Sequence, residues 1–202
     1  ASPFNYANPT LPAYITAPPI QAQVNTPANN QITDNGATLG RVLFYDKNLS
    51  INNSISCASC HKQANAFSDT DVKSRGFNGG LTGRHSMPLT NAKYYPNGRF
   101  FWDQRAASLE EQVLAPIQDL VEMGMTLPQL ATKLRNLPYY SSLFTKAFGD
   151  ATINSNRISL ALSQFVRSIV SFQSKYDVGR ATFPVNSAPA PNAVFSNFTI
   201  AA

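Results

Sequence analysis

The amino-acid sequence predicts an all-α domain, and three observations support that fold class. Two pairs of residues have the spacing of a capping box at a helix start, Ser108 with Glu111 and Thr126 with Gln129. Apolar residues recur every three or four positions between residues 156 and 176, which is the spacing of one face of a helix. No segment shows an alternating strand pattern that competes with these helical ones.

Each predicted helix has residues that suit its start or its end. Ser, Thr and Asp accept hydrogen bonds from the free N–H groups of a first turn, while Gly tolerates the left-handed conformation that often follows a last turn. The first expected helix is capped by Thr33 or Asp34, and the second begins at Ser108 and is limited by Pro116. The third begins at Thr126 and is stopped by Pro138, and the fourth runs from Tyr139 to Phe148 and is closed by Gly149. The longest helix is expected from about Asn156 to Tyr176. The apolar stripe of the longest helix is interpreted as core packing.

The distribution of residue types divides the 202 residues into three regions. Residues 1–31 contain six prolines and no apolar period, which predicts an extended lead-in. Residues 32–183 are expected to form one domain, and a chain of this length can bury a core without disulfides. Residues 184–202 return to the composition of a linker.

Net charge and hydropathy narrow the classes of function. The formal net charge of +5 comes from scattered Lys and Arg, without the basic block that nucleic-acid binding needs, so no nucleic acid is expected as a partner. No run of about eighteen apolar residues occurs, so no membrane span is predicted. Charged residues make up only 13% of the chain, which fits the surface of an exported protein.

The only two cysteines of the chain, Cys57 and Cys60, stand three residues apart, and His61 follows directly. Cys-x-x-Cys-His is the attachment sequence of a c-type haem. Two intervening residues let one turn of backbone present both thiols to one porphyrin edge, where each thiol adds to a vinyl group. The adjacent imidazole can then bind the iron as its proximal ligand. The motif therefore predicts one covalently bound haem c.

Two other interpretations of these residues are a redox-active disulfide and a zinc site. A thioredoxin-type disulfide is expected beside a strand in a βαβ pattern, and the sequence predicts neither. Zinc would need four ligands, and the chain offers Cys57, Cys60, His61 and His85. Consecutive Cys60 and His61, however, are poorly placed to bind one tetrahedral ion.

The segment from Phe67 to Asn97 is rich in Gly, Asn, Ser and Thr, which predicts a long irregular loop. A loop of this length within a compact domain usually has a function. Wrapping a cofactor would be one such function.

Six blocks of the sequence, in collinear order over about residues 32–178, resemble the N-terminal haem domain of bacterial di-haem cytochrome c peroxidases and their relatives of the MauG type. The blocks are LGRVLFYDKNLS, SISCASCHK, AFSD, GRHSMPLTN, RFFWDQRAASLEEQVLAPIQ and VEMG. The resemblance implies a cytochrome c-like all-α fold with a peroxidatic haem, which reduces hydrogen peroxide with electrons from a small cytochrome c or cupredoxin. It also implies a second haem domain, which we expect beyond this chain, and a periplasmic protein whose signal peptide has been removed.

The resemblance assigns individual site residues of the family to positions in this sequence. The resemblance places Cys57 and Cys60 at the thioether positions and His61 at the position of the proximal iron ligand. Glu110 matches the distal glutamate that the family uses as an acid–base group for peroxide. The alternative interpretation of Glu110 is a first-turn carboxylate favoured by the helix dipole.

Four further positions bear on the distal side of the iron. Phe100 stands where family peroxidases often have a glutamine, and Phe77 stands where many members have a distal histidine. Because phenylalanine cannot bind iron, an open coordination site is expected. His85 stands where members often have an asparagine that helps bind calcium between the domains, so calcium is not expected here. His85 is interpreted as a structural histidine with its hydrogen bonds satisfied, and a sixth iron ligand from His85 or Met87 is the alternative.

Two other functions stay open. With a sixth iron ligand, the domain would be a one-haem electron-transfer module. With a different partner, it would oxidise another substrate, as MauG-type relatives do.

Overall fold

The computed structural model of the chain describes residues 2–184, so residues 185–202 of the predicted linker lie outside the described residues. Its helices are α1 Ala13–Thr16, α2 Asp34–Tyr45, α3 Cys57–Cys60, α4 Leu109–Gln112, α5 Ala115–Gln118, α6 Leu127–Arg135, α7 Pro138–Phe148, α8 Ser155–Ser168 and α9 Lys175–Arg180. The all-α prediction is confirmed, since strand-like pairing within residues 2–184 is limited to isolated bridges. No helix in this part of the chain has both the length and the apolar character needed to cross a membrane.

The core is organised around α2 and α8, which cross at close range. Gly40 of α2 permits the approach, because a Cβ built on it would lie 2.0 Å from the carbonyl oxygen of Ala161 in α8. Leu39 and Leu43 of α2 and Leu162 of α8 are buried around this crossing. The two helices therefore meet through backbone contact flanked by apolar side chains.

Three predicted capping signals are confirmed. Thr33 caps α2 by accepting a hydrogen bond from the N–H of Gly36 at 3.0 Å. Thr126 and Gln129 form the reciprocal capping box at the start of α6. Gly149 ends α7 in the left-handed conformation, with φ 89°.

At Ser108 only half of the expected capping box forms. The hydroxyl of Ser108 accepts a hydrogen bond from the N–H of Glu111 at 3.2 Å. The carboxylate of Glu111, however, accepts from the N–H of Ala107 at 2.9 Å. Pro116 lies in the first turn of α5, where its missing N–H costs no hydrogen bond.

The longest helix is shorter than predicted, because α8 ends at Ser168 and a separate helix begins at Lys175. Asn91, which lies far from this segment in the sequence, interrupts the helix by forming hydrogen bonds with its backbone. Its N–H donates to the carbonyl oxygen of Ile169 at 2.9 Å, and its side chain bonds both backbone groups of Ser171 at 2.9 and 3.2 Å. These bonds take the place of helical ones.

The lead-in packs along the domain through specific hydrogen bonds. The phenol of Tyr14 donates to the carboxylate of Asp177 at 2.6 Å, which joins α1 to α9. The amide of Asn25 donates to the carbonyl oxygen of Ala92 at 2.7 Å. Residues at the start of the chain are thereby tied to the loop and to the last described helix.

The segment from Phe67 to Asn97 is irregular, as predicted. It contains an isolated bridge between Arg75 and Leu81 and one short 3-10 turn, Ala92–Tyr94.

Gly40→Ala is expected to lower the free energy of unfolding by about 1–3 kcal/mol, the usual cost of overpacking. The added methyl group would meet a backbone carbonyl, and this cost opposes the better helix propensity of alanine. Urea denaturation of the haem-loaded protein measures the effect. Gly83→Ala is the matched control, because no atom lies within 4 Å of a Cβ at that position. Equal stability of the two variants would contradict the close crossing.

Candidate haem-binding site

The single turn of α3 brings both thiols to one cleft. The N–H of Ser56 donates to the hydroxyl of Ser59 at 2.9 Å, and the N–H of His61 donates to the carbonyl oxygen of Cys57 at 2.9 Å. These bonds fix both ends of the turn. Cys57 and Cys60 are not disulfide-bonded, and both line the cleft.

His61 is held in the tautomer that can bind iron. Its Nδ1 lies 2.9 Å from the carbonyl oxygen of Phe67. Because a carbonyl oxygen only accepts, Nδ1 carries the proton and Nε2 keeps its lone pair, as in histidines that bind metals. Burial lowers the pKa of His61, so the ring is neutral at pH 7.

The cleft encloses about 620 Å³, including solvent at its mouth, and most of its lining is apolar. The apolar side chains come from three helices and the connecting loops: Phe44, Ile55, Leu89, Val113, Pro116, Met123, Leu162 and Val166. An apolar wall, two unpaired thiols and an imidazole whose Nδ1 is hydrogen-bonded to the backbone together fit a covalently attached haem. The prediction that the irregular loop contributes to the site agrees with the presence of Ser86 and Leu89 in the lining.

The zinc interpretation is not supported. No three His, Cys, Asp or Glu side chains among residues 2–184 are grouped closely enough to hold a metal ion.

Gln112 and Glu122 are the two cleft residues with a carboxamide or carboxylate side chain, and sequence reasoning missed both. Burial raises the pKa of Glu122, the charge of Asp119 raises it further, and Arg105 lowers it. The sequence did carry a signal, since Glu122 is a lone carboxylate between Val121 and Met123 in the apolar part of VEMG. A carboxylate in an apolar cleft has the properties of a proton-transfer group.

The structure places Glu110 outside the lining of the cleft. Both carboxylate oxygens of Glu110 accept hydrogen bonds from the guanidinium of Arg167, and the bond from Nη2 to Oε2 is 3.1 Å long. The side-chain amide of Asn30 also donates to the carboxylate, at 2.7 Å. Arg167 is 2% exposed. Burial alone would raise the pKa of Glu110, but the hydrogen bonds from Arg167 and Asn30 outweigh it and lower the pKa. The acid–base role of Glu110 stays a prediction that this geometry does not favour.

Phe100 and Phe77 also lie outside the lining of the cleft. Phe100 packs against the core. Although this phenylalanine stands at the position where family peroxidases often have a glutamine, a different glutamine, Gln112, lines the cleft. The N–H of Phe77 donates to the carbonyl oxygen of Glu122 at 3.0 Å, and its ring lies against Gly124. Phe77 therefore holds the segment that carries Glu122.

Neither of the two expected alternatives for a sixth ligand lines the cleft. Both ring nitrogens of His85 are occupied, at 3.0 Å from the hydroxyl of Ser68 and 3.0 Å from the carbonyl oxygen of Asp71. Met87 is likewise absent from the lining, whereas Met123 is part of it.

A helical fold that presents Cys-x-x-Cys-His to an apolar cleft defines a c-type haem domain. Residues 34–181 match the family described as di-haem cytochrome c peroxidase. The match extends over most of the chain, and the chain belongs to this family.

Individual relatives agree with this assignment. The chain is 34% identical over 154 residues to the methylamine utilization protein MauG of Methylophilus methylotrophus, covering 76% of this chain and 45% of MauG. It is 34% identical over 163 residues to the cytochrome c551 peroxidase of Pseudomonas aeruginosa, covering 79% of this chain and 46% of that protein. The crystal structure of a MauG-like protein associated with microbial copper homeostasis has a TM-score of 0.74 and 33% identity, over 84% of this chain and 49% of that one. The chain thus spans about half the length of these relatives.

Glu110→Gln is expected to lower the free energy of unfolding by about 3 kcal/mol, because it leaves the buried Arg167 without its counter-charge. Asp103→Asn, which removes the exposed partner of Arg84 and Arg105, is the control and should change stability little. Since the folded-state pKa of Glu110 is lowered, its contribution is present above the unfolded pKa of about 4.3 and is lost as pH falls through the folded value. Urea denaturation at pH 7 and at acid pH measures both effects. Equal stability of Glu110→Gln and the unaltered protein at pH 7 would contradict the structural role.

Proposed function

We propose that this chain is the peroxidatic haem domain of a cytochrome c peroxidase-type oxidoreductase. The observation that carries the proposal is that Glu122 and Gln112 line the same cleft as His61. In this proposal one haem c is attached through Cys57 and Cys60, with His61 as the iron ligand.

Peroxide reduction needs a proton to move from one peroxide oxygen to the other while the O–O bond breaks. When bound, the haem supplies the iron at which peroxide is cleaved and the electrons for that step. Glu122 accepts the proton from the first oxygen and returns it to the second, which leaves as water. Its raised pKa suits this exchange, because an acid–base group works best with a pKa near the working pH. Gln112 donates an amide hydrogen bond that orients the peroxide.

The full reaction consumes two electrons and two protons for each hydrogen peroxide and yields two water molecules. We propose a small electron-donor protein, a cytochrome c or a cupredoxin, as the source of the electrons. Residues 32–183 form the haem domain, residues 1–31 its lead-in, and residues 184–202 lead toward a second haem domain. The di-haem description of the family and relatives of about twice this length support that arrangement. The proposed compartment is the periplasm, because covalent haem is attached outside the cytoplasmic membrane.

Met123 favours a second candidate function. It lines the cleft, is 3% exposed, and carries a thioether sulfur, which is a group that haem iron accepts as an axial ligand. A His–Met pair of ligands would make the domain an electron-transfer module, as in cytochromes c. Similarity to MauG proteins supports a third function, oxidation of a different substrate at the same haem.

Glu122→Gln is expected to slow the oxidation of the haem by hydrogen peroxide about 10²–10⁴-fold, the usual loss when a positioned acid–base group is removed. Stopped-flow mixing with peroxide, followed at the haem absorbance, measures the rate. Glu110→Gln and the exposed Glu111→Gln are matched controls that remove a carboxylate outside the cleft.

Both controls should retain the rate of the unaltered protein within a fewfold range. The opposite order, with Glu110→Gln slow and Glu122→Gln fast, would assign the proton transfer to Glu110, as the sequence resemblance implies. Equal rates in all three variants would contradict a role for any of these carboxylates.

A further inference from the structure

Two tyrosines and one aspartate form a hydrogen-bonded cluster that peroxide reduction, as proposed above, does not use. The phenols of Tyr140 and Tyr139 both donate to the same oxygen of Asp46, at 2.6 and 2.8 Å. The other oxygen accepts from the N–H and the side-chain amide of Asn48, each at 2.8 Å. Burial alone would raise the pKa of Asp46, but the hydrogen bonds from Tyr140, Asn48 and Tyr139 lower it. Asp46 is therefore a carboxylate at neutral pH, in direct contact with two phenolic protons.

The two tyrosines lead from the interior to the surface. Tyr140 is 0% exposed and Tyr139 is 42% exposed, and their ring centroids lie 4.6 Å apart. Tyr140 belongs to the buried core against which Cys57 packs. Burial raises the pKa of the Tyr140 phenol, and Asp46 and the nearby Cys57 raise it further. The buried end of the pair therefore belongs to the same core as a residue that would carry the haem, and the other end meets solvent.

We propose that Tyr140 and Tyr139 form a one-electron relay between the haem and the protein surface, with Asp46 as the proton acceptor. The relay rests on the proposed function, because its oxidant is the haem after reaction with peroxide. A one-electron donor at the surface would enter the relay at Tyr139.

Each step of the relay balances in electrons and protons. Tyr140 gives one electron to the peroxide-oxidised haem and its phenolic proton to Asp46, and becomes a neutral radical. Tyr139 then gives one electron to Tyr140, which recovers its proton from Asp46, while the proton of Tyr139 moves to Asp46 in turn. A surface donor reduces Tyr139, and Asp46 returns that proton. The net result is one electron moved from the donor to the haem, with no net proton transfer.

The same hydrogen bonds would form if Tyr140 and Tyr139 had a purely structural role. Another buried tyrosine that donates to an aspartate therefore provides a comparison. Tyr14 donates to Asp177 at 2.6 Å and is also buried. Its ring, however, faces the guanidinium of Arg180, with the centroid 5.4 Å from that cation. A neighbouring positive charge opposes the removal of an electron from the ring. Tyr14→Phe is thus the matched control.

The test is electron paramagnetic resonance of the haem-loaded protein, frozen after mixing with hydrogen peroxide. A tyrosyl radical is expected, and labelling with ring-deuterated tyrosine should narrow its lines. Tyr140→Phe and Asp46→Asn should lose most of this signal, while Tyr14→Phe should keep it. Tyr139→Phe should keep the radical but make it resistant to ascorbate, because the exposed partner is gone. Circular dichroism checks the folding of each variant, and if Tyr140→Phe does not fold, the ascorbate resistance of Tyr139→Phe decides.

A haem band that changes with peroxide without any tyrosyl radical would overturn the relay, as would an unchanged signal in Tyr140→Phe. An ascorbate-sensitive radical in Tyr139→Phe would overturn it too. If peroxide leaves the haem band unchanged, the proposed function fails separately. The relay is then tested with peracetic acid, whose better leaving group does not depend on Glu122. A radical lost in Tyr140→Phe would support the relay in that case, and no radical would overturn it.

Discussion

The hydrogen bond from Nδ1 of His61 to the carbonyl oxygen of Phe67 is the interaction on which the account of the site depends. It is possible because Ala66 and Phe67 adopt left-handed conformations, with φ 55° and 58°, and turn the chain back toward His61. An isolated bridge between Lys62 and Ser68 closes the turn. Without this bond, Nδ1 would not be fixed as the protonated nitrogen, and the two thiols would line a cleft with no oriented ligand. The turn costs backbone strain, but it fixes one tautomer and one orientation of the His61 imidazole.

Packing around α8 connects the cleft to the rest of the molecule. One face of α8 supplies Leu162 and Val166 to the lining, and the close contact at Gly40 sets the distance to α2. Arg167, at the C-terminal end of α8, holds Glu110 of α4. The ion pair therefore joins α4, the short helix that also carries Gln112, to α8.

Local signals could be predicted from the sequence, and long-range ones could not. Caps at Thr33 and Gly149 depend on neighbouring backbone alone, and the haem motif places three functional groups within one turn of chain. The end of α8 was predicted too late because Asn91, far away in the chain, supplies the competing hydrogen bonds.

The choice between two candidate carboxylates is limited for the same reason. By residue type, Glu110 and Glu122 are equally plausible acid–base groups. Only the fold shows that Glu110 is paired with Arg167, whereas Glu122 lines the apolar cleft. The glutamine was likewise sought at Phe100, whereas Gln112 reaches the cleft from the end of α4. Such choices depend on helix packing, which local propensity does not encode.

The central claim is that the cleft holds a haem whose iron is bound by His61 and is open on its other side. The absorption spectrum of the ferric haem-loaded protein tests this claim most directly, with Met123→Leu as the control, since Met123 is the cleft residue suited to a sixth ligand. High-spin bands are expected in both proteins, because His61 would be the only protein ligand of the iron. Low-spin bands that become high-spin in Met123→Leu would contradict the claim and establish the electron-transfer function instead.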